Sequence, residues 1–123
     1  MIKKIITTAV LTTALLMGAS KMANADSMGV VKAKADHFAM VTTALKTEME
    51  LFIIMPDSHS LDKINNLYPK FANAVDEMDS NTMRLCKMDD SCNFYFEIGI
   101  ENLDAIEYLQ PKLIKAAQIL DSQ

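Results

Sequence analysis

Cys86 and Cys92 are the two residues whose type and spacing most directly indicate a chemical function. They are the only cysteines of the chain, and five residues separate them. A zinc site would need a shorter Cys-x2–4-Cys spacing with further ligands, and neither His37 nor His59 lies near them in the sequence. In exported proteins a pair of cysteines usually forms a disulfide, and the N-terminus described below indicates export. We therefore expect a Cys86–Cys92 bridge, which stabilises the fold by about 2–2.5 kcal/mol by restricting the unfolded chain.

The other reactive side chains do not form a predicted active site. His37 falls within a helical pattern and His59 within a predicted turn. Neither has a Ser, Cys or Asp companion at the spacing of a nucleophile and its base. Paired catalytic carboxylates need unequal environments, one of them apolar, whereas Glu97, Glu101 and Asp104 form a stripe of like charge. We therefore expect no catalytic residue and predict that the protein is not an enzyme.

Methionine is frequent, with ten residues in the chain, and its thioether can bind Cu(I). Met78, Met83 and Met88 are spaced by five, which scatters them around a helix and favours core packing. The four-helix haem cytochromes of the periplasm place a haem-ligating histidine near the C-terminus, whereas the last histidine here is His59. The sequence therefore predicts no metal, haem or other cofactor.

The acidic stripe is a candidate binding surface. With about 100° between successive helical residues, Glu97, Glu101 and Asp104 fall together on one side of a helix, with Tyr108 beside them. A stripe of this kind fits a solvated or a partner-facing surface. We predict that these four residues contact a partner protein.

The charge of the chain restricts the kind of partner. Beyond residue 25 there are nine basic and sixteen acidic residues, a net charge of −7, and the acidic excess lies between Asp76 and Glu107. Within that segment Asp76, Glu77 and Asp79 are expected on a solvated face. Because phosphate contacts need clustered Lys and Arg, nucleic acid and anionic membranes are poor partners. The expected partner is a periplasmic or membrane-anchored protein.

The N-terminal segment has the pattern of a secretory signal. Lysines at positions 3 and 4 precede an apolar stretch at residues 5–17, and Ala23-Asn24-Ala25 offers small side chains to signal peptidase. The apolar stretch is shorter than the roughly 20 residues of a transmembrane helix. We expect residues 1–25 to be a signal peptide and residues 26–123 to be a single helical periplasmic domain. A weak membrane anchor that is later released is the alternative.

Apolar residues at steps of three and four predict an all-α fold, a small bundle of four or five helices with one short-loop disulfide. The clearest helix covers residues 29–54, and Pro56 ends it. Pro69 is expected to break the pattern or begin a new helix, Pro111 to break or kink a later helix, and Ser60 to be an N-cap. Residues 94–96 could instead begin a short strand, since aromatic residues favour strands. The later predicted helices cover residues 60–67, 69–85, 93–109 and 111–120.

In its layout the chain resembles the lysis-inhibition antiholins of T-even phages. The matching pieces are the weakly apolar residues 5–20, the helix around residues 36–38, and the acidic loop from Cys86 to Cys92. Those antiholins are short exported proteins with a compact helical periplasmic domain and one intramolecular disulfide. The resemblance implies a protein that binds the periplasmic domain of a holin and delays lysis.

Two other classes of exported protein share this general build. Periplasmic immunity proteins neutralise secreted cell-wall-degrading effectors, and small acid-stress chaperones protect other proteins. Both classes are mostly helical and disulfide-bonded, and the chaperone alternative requires an apolar face that is exposed at low pH. All three alternatives act by binding another protein rather than by catalysis. The function we expect is binding and inhibition of a second protein in the periplasm.

Overall fold

Four α-helices account for nearly all of the described chain. The computed structural model describes residues 27–122, so the predicted signal peptide, residues 1–25, lies outside the described residues. Residues 27–122 contain no strand, which confirms the predicted all-α class and shows that the strand alternative at residues 94–96 is wrong. The helices are α1 (Met28–Ile54), α2 (Ser58–Glu77), α3 (Ser80–Lys87) and α4 (Asp90–Asp121).

Helix α1 is the centre of the bundle. It packs against each of the other three helices, most extensively against α4. Near the start of both helices, Sγ of Cys92 lies 3.8 Å from the carbonyl oxygen of Val31, and further along Asn102 bonds Thr42. Because these contacts advance in the same direction along both helices, α1 and α4 run parallel. The chain returns between them through α2 and the short α3.

The core is one continuous apolar cluster to which all four helices contribute. On α1 the buried side chains follow the steps of three and four that predicted this helix, and its bounds agree with the prediction within one residue. Burying a large apolar side chain is worth about 1.5–3 kcal/mol, so this cluster rather than local propensity holds the helices together. The largest fully buried side chains are Val31, Phe38, Leu45, Met49, Phe52, Leu61, Ile64, Phe71, Met78, Ile106 and Leu113.

Helices α1 and α4 approach each other closely where Phe38 meets Gly99. A Cβ atom added to Gly99 would overlap the Phe38 ring, whose Cγ atom would be 3.1 Å away. The Phe38 ring also stacks on Phe96, with ring centroids 6.1 Å apart. Position 99 therefore requires glycine, because α1 and α4 leave no space there for a side chain.

A small polar cluster lies in the same interface. The side-chain amide of Asn102 donates to Oγ1 of Thr42 at 3.2 Å and to Oγ1 of Thr43 at 2.8 Å. The Thr42 hydroxyl in turn donates to the backbone carbonyl of Phe38 at 2.7 Å. Because buried polar groups cost free energy unless they are hydrogen-bonded, a shift of α4 along α1 is disfavoured. The cluster therefore helps to fix the register of the two helices.

The predicted breaks at Pro69 and Pro111 are wrong. Helix α2 continues through Pro69 and α4 through Pro111, so the helices predicted on either side of each proline are single helices. A proline inside a helix removes one hydrogen bond and costs about 3 kcal/mol or more. Both prolines are exposed, and buried residues before and after each one, such as Tyr68 and Phe71, belong to the same stripe. Burial of that stripe offsets the local cost.

Aspartates cap the later helices. Asp57 accepts a hydrogen bond from the backbone N–H of Ser60 at 2.7 Å, so the prediction of Ser60 as the N-cap is wrong. This bond is the main cause of the lowered pKa of Asp57. Asp79 accepts from the backbone N–H of Thr82 at 2.9 Å and begins α3. The predicted helix at 69–85 is therefore divided in two, and Asp79 is buried rather than solvated, because a carboxylate can satisfy the free N–H groups at a helix start.

Candidate partner-binding surface

The four residues predicted to contact a partner lie along the outer side of α4. Glu97, Glu101, Asp104 and Tyr108 are all exposed, and their steps of four, three and four keep them on one side of the helix. The opposite side of α4 carries its buried residues, including Gly99, against α1. The stripe is therefore directed away from the core.

An exposed aromatic residue, Phe94, extends this surface by one helical step. It lies three residues before Glu97 on the same side of α4, and 62% of its surface is exposed. The sequence prediction did not include Phe94, although its spacing from Glu97 and Glu101 matches that of the stripe. From here on, the surface formed by Phe94, Glu97, Glu101, Asp104 and Tyr108 is called the α4 acidic face.

The carboxylates of the α4 acidic face have no ion-pair or hydrogen-bond partner among residues 27–122. Glu97 and Glu101 are four residues apart, and Asp104 follows three residues later, spacings at which like charges destabilise a helix by a few tenths of a kcal/mol each. The fold therefore retains a small unfavourable interaction here. A basic partner surface would remove it.

The two aromatic residues bound the α4 acidic face at its ends. Tyr108 is 67% exposed, and Nζ of Lys112 lies 4.6 Å from the centre of its ring. Phe94 contacts the neighbouring Tyr95 edge to face, with centroids 5.6 Å apart. Exposed aromatic residues are enriched among the residues that contribute most to protein–protein binding. The arrangement suits a partner with basic side chains and apolar pockets.

The disulfide lies at one end of the bundle and is not part of this surface. Cys86, near the end of α3, and Cys92, in the first turn of α4, form the predicted bridge, with Cα atoms 5.2 Å apart. Both cysteines are fully buried. Because thiol–disulfide exchange requires access, a buried bridge of this kind is structural. It fixes the start of α4 and hence the direction of the α4 acidic face.

Asp89 connects this end of the bundle to α1. Its carboxylate accepts hydrogen bonds from the Ser91 hydroxyl at 2.7 Å and from the backbone N–H of Cys92 at 3.0 Å. Nζ of Lys32 on α1 lies 3.4 Å away. These contacts, the Ser91 bond first, lower the pKa of Asp89 from its ordinary value of 3.8 to about 2. The charged form of Asp89 therefore stabilises the folded state.

We predict that Asp89→Asn reduces stability in a pH-dependent way. Because the pKa is lower in the folded state than in the unfolded state, the charge contributes fully above pH 3.8, and this contribution disappears as the pH falls to about 2. The melting temperatures of wild type and Asp89→Asn should therefore differ at neutral pH, and the difference should shrink as the pH falls through about 2. Asp104→Asn removes an exposed carboxylate without such bonds and serves as the control. A difference that persists unchanged at pH 2 would contradict the assignment.

The remaining candidate residues are distributed over the surface and the core. His37 is exposed on α1, and His59 is exposed in the first turn of α2 rather than in a turn between helices. Met78 is buried, whereas Met88 is exposed. Within residues 27–122, no three His, Cys, Asp or Glu side chains are grouped closely enough to hold a metal ion. None of the helices in the described part of the chain is long and apolar enough to cross a bilayer.

Comparisons of the chain with protein-family models, with curated proteins and with solved structures gave no match.

Proposed function

We propose that the protein is exported and inhibits a second protein by covering a basic surface of that protein with the α4 acidic face. The observation that carries this proposal is the placement of three unpaired carboxylates between two exposed aromatic residues on one side of α4. The pattern at residues 1–25 and the Cys86–Cys92 disulfide support export to an oxidising compartment.

The physical chemistry of the α4 acidic face suits inhibition by binding. Carboxylates that meet Lys or Arg on a partner accelerate encounter and set the orientation of the complex. Phe94 and Tyr108 can bury apolar area with little loss of side-chain entropy, because an aromatic side chain has few rotatable bonds. The surface thus supplies both the orienting charges and the apolar contacts of a specific interface.

The resemblance to the lysis-inhibition antiholins indicates which kind of protein this surface binds. On that basis we propose that the bound protein is the periplasmic domain of a holin and that binding delays lysis. The small helical body with one buried disulfide is consistent with such a role. The purified periplasmic domain of a T-even phage holin is therefore the probe for the experiments below.

We predict that reversing the charge of the stripe slows association. The triple variant Glu97→Lys, Glu101→Lys and Asp104→Lys should lower the association rate constant for the holin domain by about tenfold or more at low salt, and wild-type binding should weaken as salt is added. Stopped-flow fluorescence measures the rate. Thermal stability should change little, since an exposed charge away from a network usually contributes less than about 0.5 kcal/mol.

A matched control separates the effect of the α4 acidic face on the association rate from the effect of net charge. The variant Asp62→Lys, Asp76→Lys and Glu77→Lys makes the same change in net charge at three exposed positions of α2. If this control slows association as much as the stripe variant, net charge rather than the α4 acidic face governs binding. A stripe variant that associates at the wild-type rate would reject the surface assignment.

A further inference from the structure

Helix α1 carries a second row of mostly apolar side chains on the side that faces away from the core. Met40, Leu51 and Ile54 in this row have 63%, 52% and 78% of their surface exposed. A surface helix in a monomer usually has one apolar stripe with polar residues opposite, whereas α1 has apolar stripes on both sides. The row, called the α1 outer row below, consists of Val30, Ala33, His37, Met40, Ala44, Thr47, Leu51 and Ile54.

The spacing of the α1 outer row is that of a coiled-coil seam. From Val30 to Ile54 the steps alternate between three and four residues, which is the a and d pattern of the heptad repeat. None of the eight residues is an Asp, Glu, Lys or Arg, and His37 and Thr47 are the row's two polar members. A helix of another subunit could therefore pack along the whole length of α1.

We propose that the α1 outer row is the interface through which two copies of this chain form an antiparallel dimer. A two-fold dimer needs a surface that is complementary to itself. With the two-fold axis between Met40 and Ala44, Met40 of one copy faces Ala44 of the other, and Ala33 faces Leu51. Both pairs set a large side chain against a small one, while the same axis places His37 opposite Thr47 and Val30 opposite Ile54.

The distribution of charge favours a second copy over a basic partner at this surface. Helix α1 has three lysines and three acidic residues and so no net charge, whereas the chain beyond it is strongly acidic. Two acidic molecules can therefore approach through α1 with the least repulsion. In the antiparallel register Lys34 lies beside Glu48 of the second copy, and Asp36 lies beside Glu50. These flanking pairs nearly cancel, so the apolar row accounts for the association.

A shallow groove next to the row provides further contact area. It lies between α1 and α2 and is lined by Ala44, Thr47 and Leu67 together with the polar residues Glu48, Lys63 and Asn66. Because Ala44 is small, Met40 of the second copy can enter this groove. The row is roughly 36 Å long and one helix diameter wide, a footprint on the order of 400 Å². A standard interface buries about 800 Å² per partner, so the groove walls must contribute and we expect a weak, reversible dimer.

Sedimentation velocity tests the dimer with protein produced from the full chain. Between about 1 and 200 µM, wild type should shift from monomer to dimer, and Met40→Glu should weaken dimerisation by about tenfold or more. Met88→Glu changes an exposed methionine outside α1 and should dimerise like wild type. If wild type stays monomeric over this range, or if Met40→Glu dimerises as well as Met88→Glu, the proposal is wrong.

Disulfide cross-linking tests the antiparallel orientation. Ala33→Cys and Leu51→Cys, each introduced singly, should form little covalent dimer alone, and mixing the two variants under mild oxidation should give a cross-linked pair. Efficient cross-linking of Ala33→Cys with itself would contradict the antiparallel arrangement. The proposed dimer leaves both copies of the α4 acidic face exposed, so its failure would not affect the proposed binding function.

Discussion

Gly99→Ala is expected to destabilise the protein by about 1–3 kcal/mol, although alanine is the better helix former. In an open helical position the same substitution should stabilise by up to about 1 kcal/mol. At position 99 the added Cβ overlaps the buried ring of Phe38. That ring is stacked on Phe96 and cannot move away without disturbing the contact between α1 and α4. Overpacking therefore exceeds the gain in helix propensity.

Gly29→Ala is the matched control for this prediction. Gly29 is exposed in the first turn of α1, and the nearest atom to an added Cβ is Oγ of Ser27 at 4.0 Å. The control should leave stability unchanged or raise it slightly. Urea unfolding followed by circular dichroism measures both variants. If Gly99→Ala is as stable as Gly29→Ala, the close contact between α1 and α4 is wrong.

Cys86→Ser is expected to lower stability by about 2 kcal/mol or more. The variant opens the seven-residue loop, so the unfolded chain regains conformational freedom. It also places a hydroxyl in a fully buried position, which adds to the loss unless the hydroxyl finds a hydrogen-bond partner. The junction of α3 and α4 should loosen, because the bridge holds both helices at this end.

Two comparisons separate the effect of losing the disulfide from the effect of the serine side chain itself. Reduced wild type should lose a similar amount of stability, and replacing both cysteines with alanine should avoid the buried hydroxyl and the unpaired Cys92 thiol. Thermal melts of oxidised, reduced and variant proteins provide the measurement. A Cys86→Ser protein that melts like oxidised wild type would show that the cysteines are not a structural bridge.

Residue spacing in the sequence was sufficient to predict α1, the disulfide and most of the α4 acidic face. The apolar steps of α1, the pair Cys86 and Cys92, and the 100° positions of Glu97 and Glu101 are all local patterns. Local spacing determines which side chains share one side of a helix. Spacing alone therefore predicted which residues lie together wherever the helix that carries them was correctly predicted.

Two features could not be predicted from the sequence, because they depend on contacts between helices. A proline inside a helix costs free energy locally, so the sequence favoured breaks at Pro69 and Pro111. The helices continue through both prolines because their residues are buried against α1, which only the structure shows. The α1 outer row is also visible as apolar residues such as Met40 and Leu51. Which of the two stripes of α1 faces the core is decided by packing against α2 and α4, so only the structure shows that the row is exposed.

The central claim, that the α4 acidic face binds the target, is tested most directly by nuclear magnetic resonance. The ¹⁵N-labelled protein is titrated with the periplasmic domain of a T-even phage holin, and the amide shifts are mapped onto the helices. The proposal predicts that the largest perturbations fall on exposed positions between Phe94 and Tyr108 and decrease in the Glu97→Lys, Glu101→Lys, Asp104→Lys variant. Perturbations confined to α2, or none at all with a saturating excess of the holin domain, would contradict it.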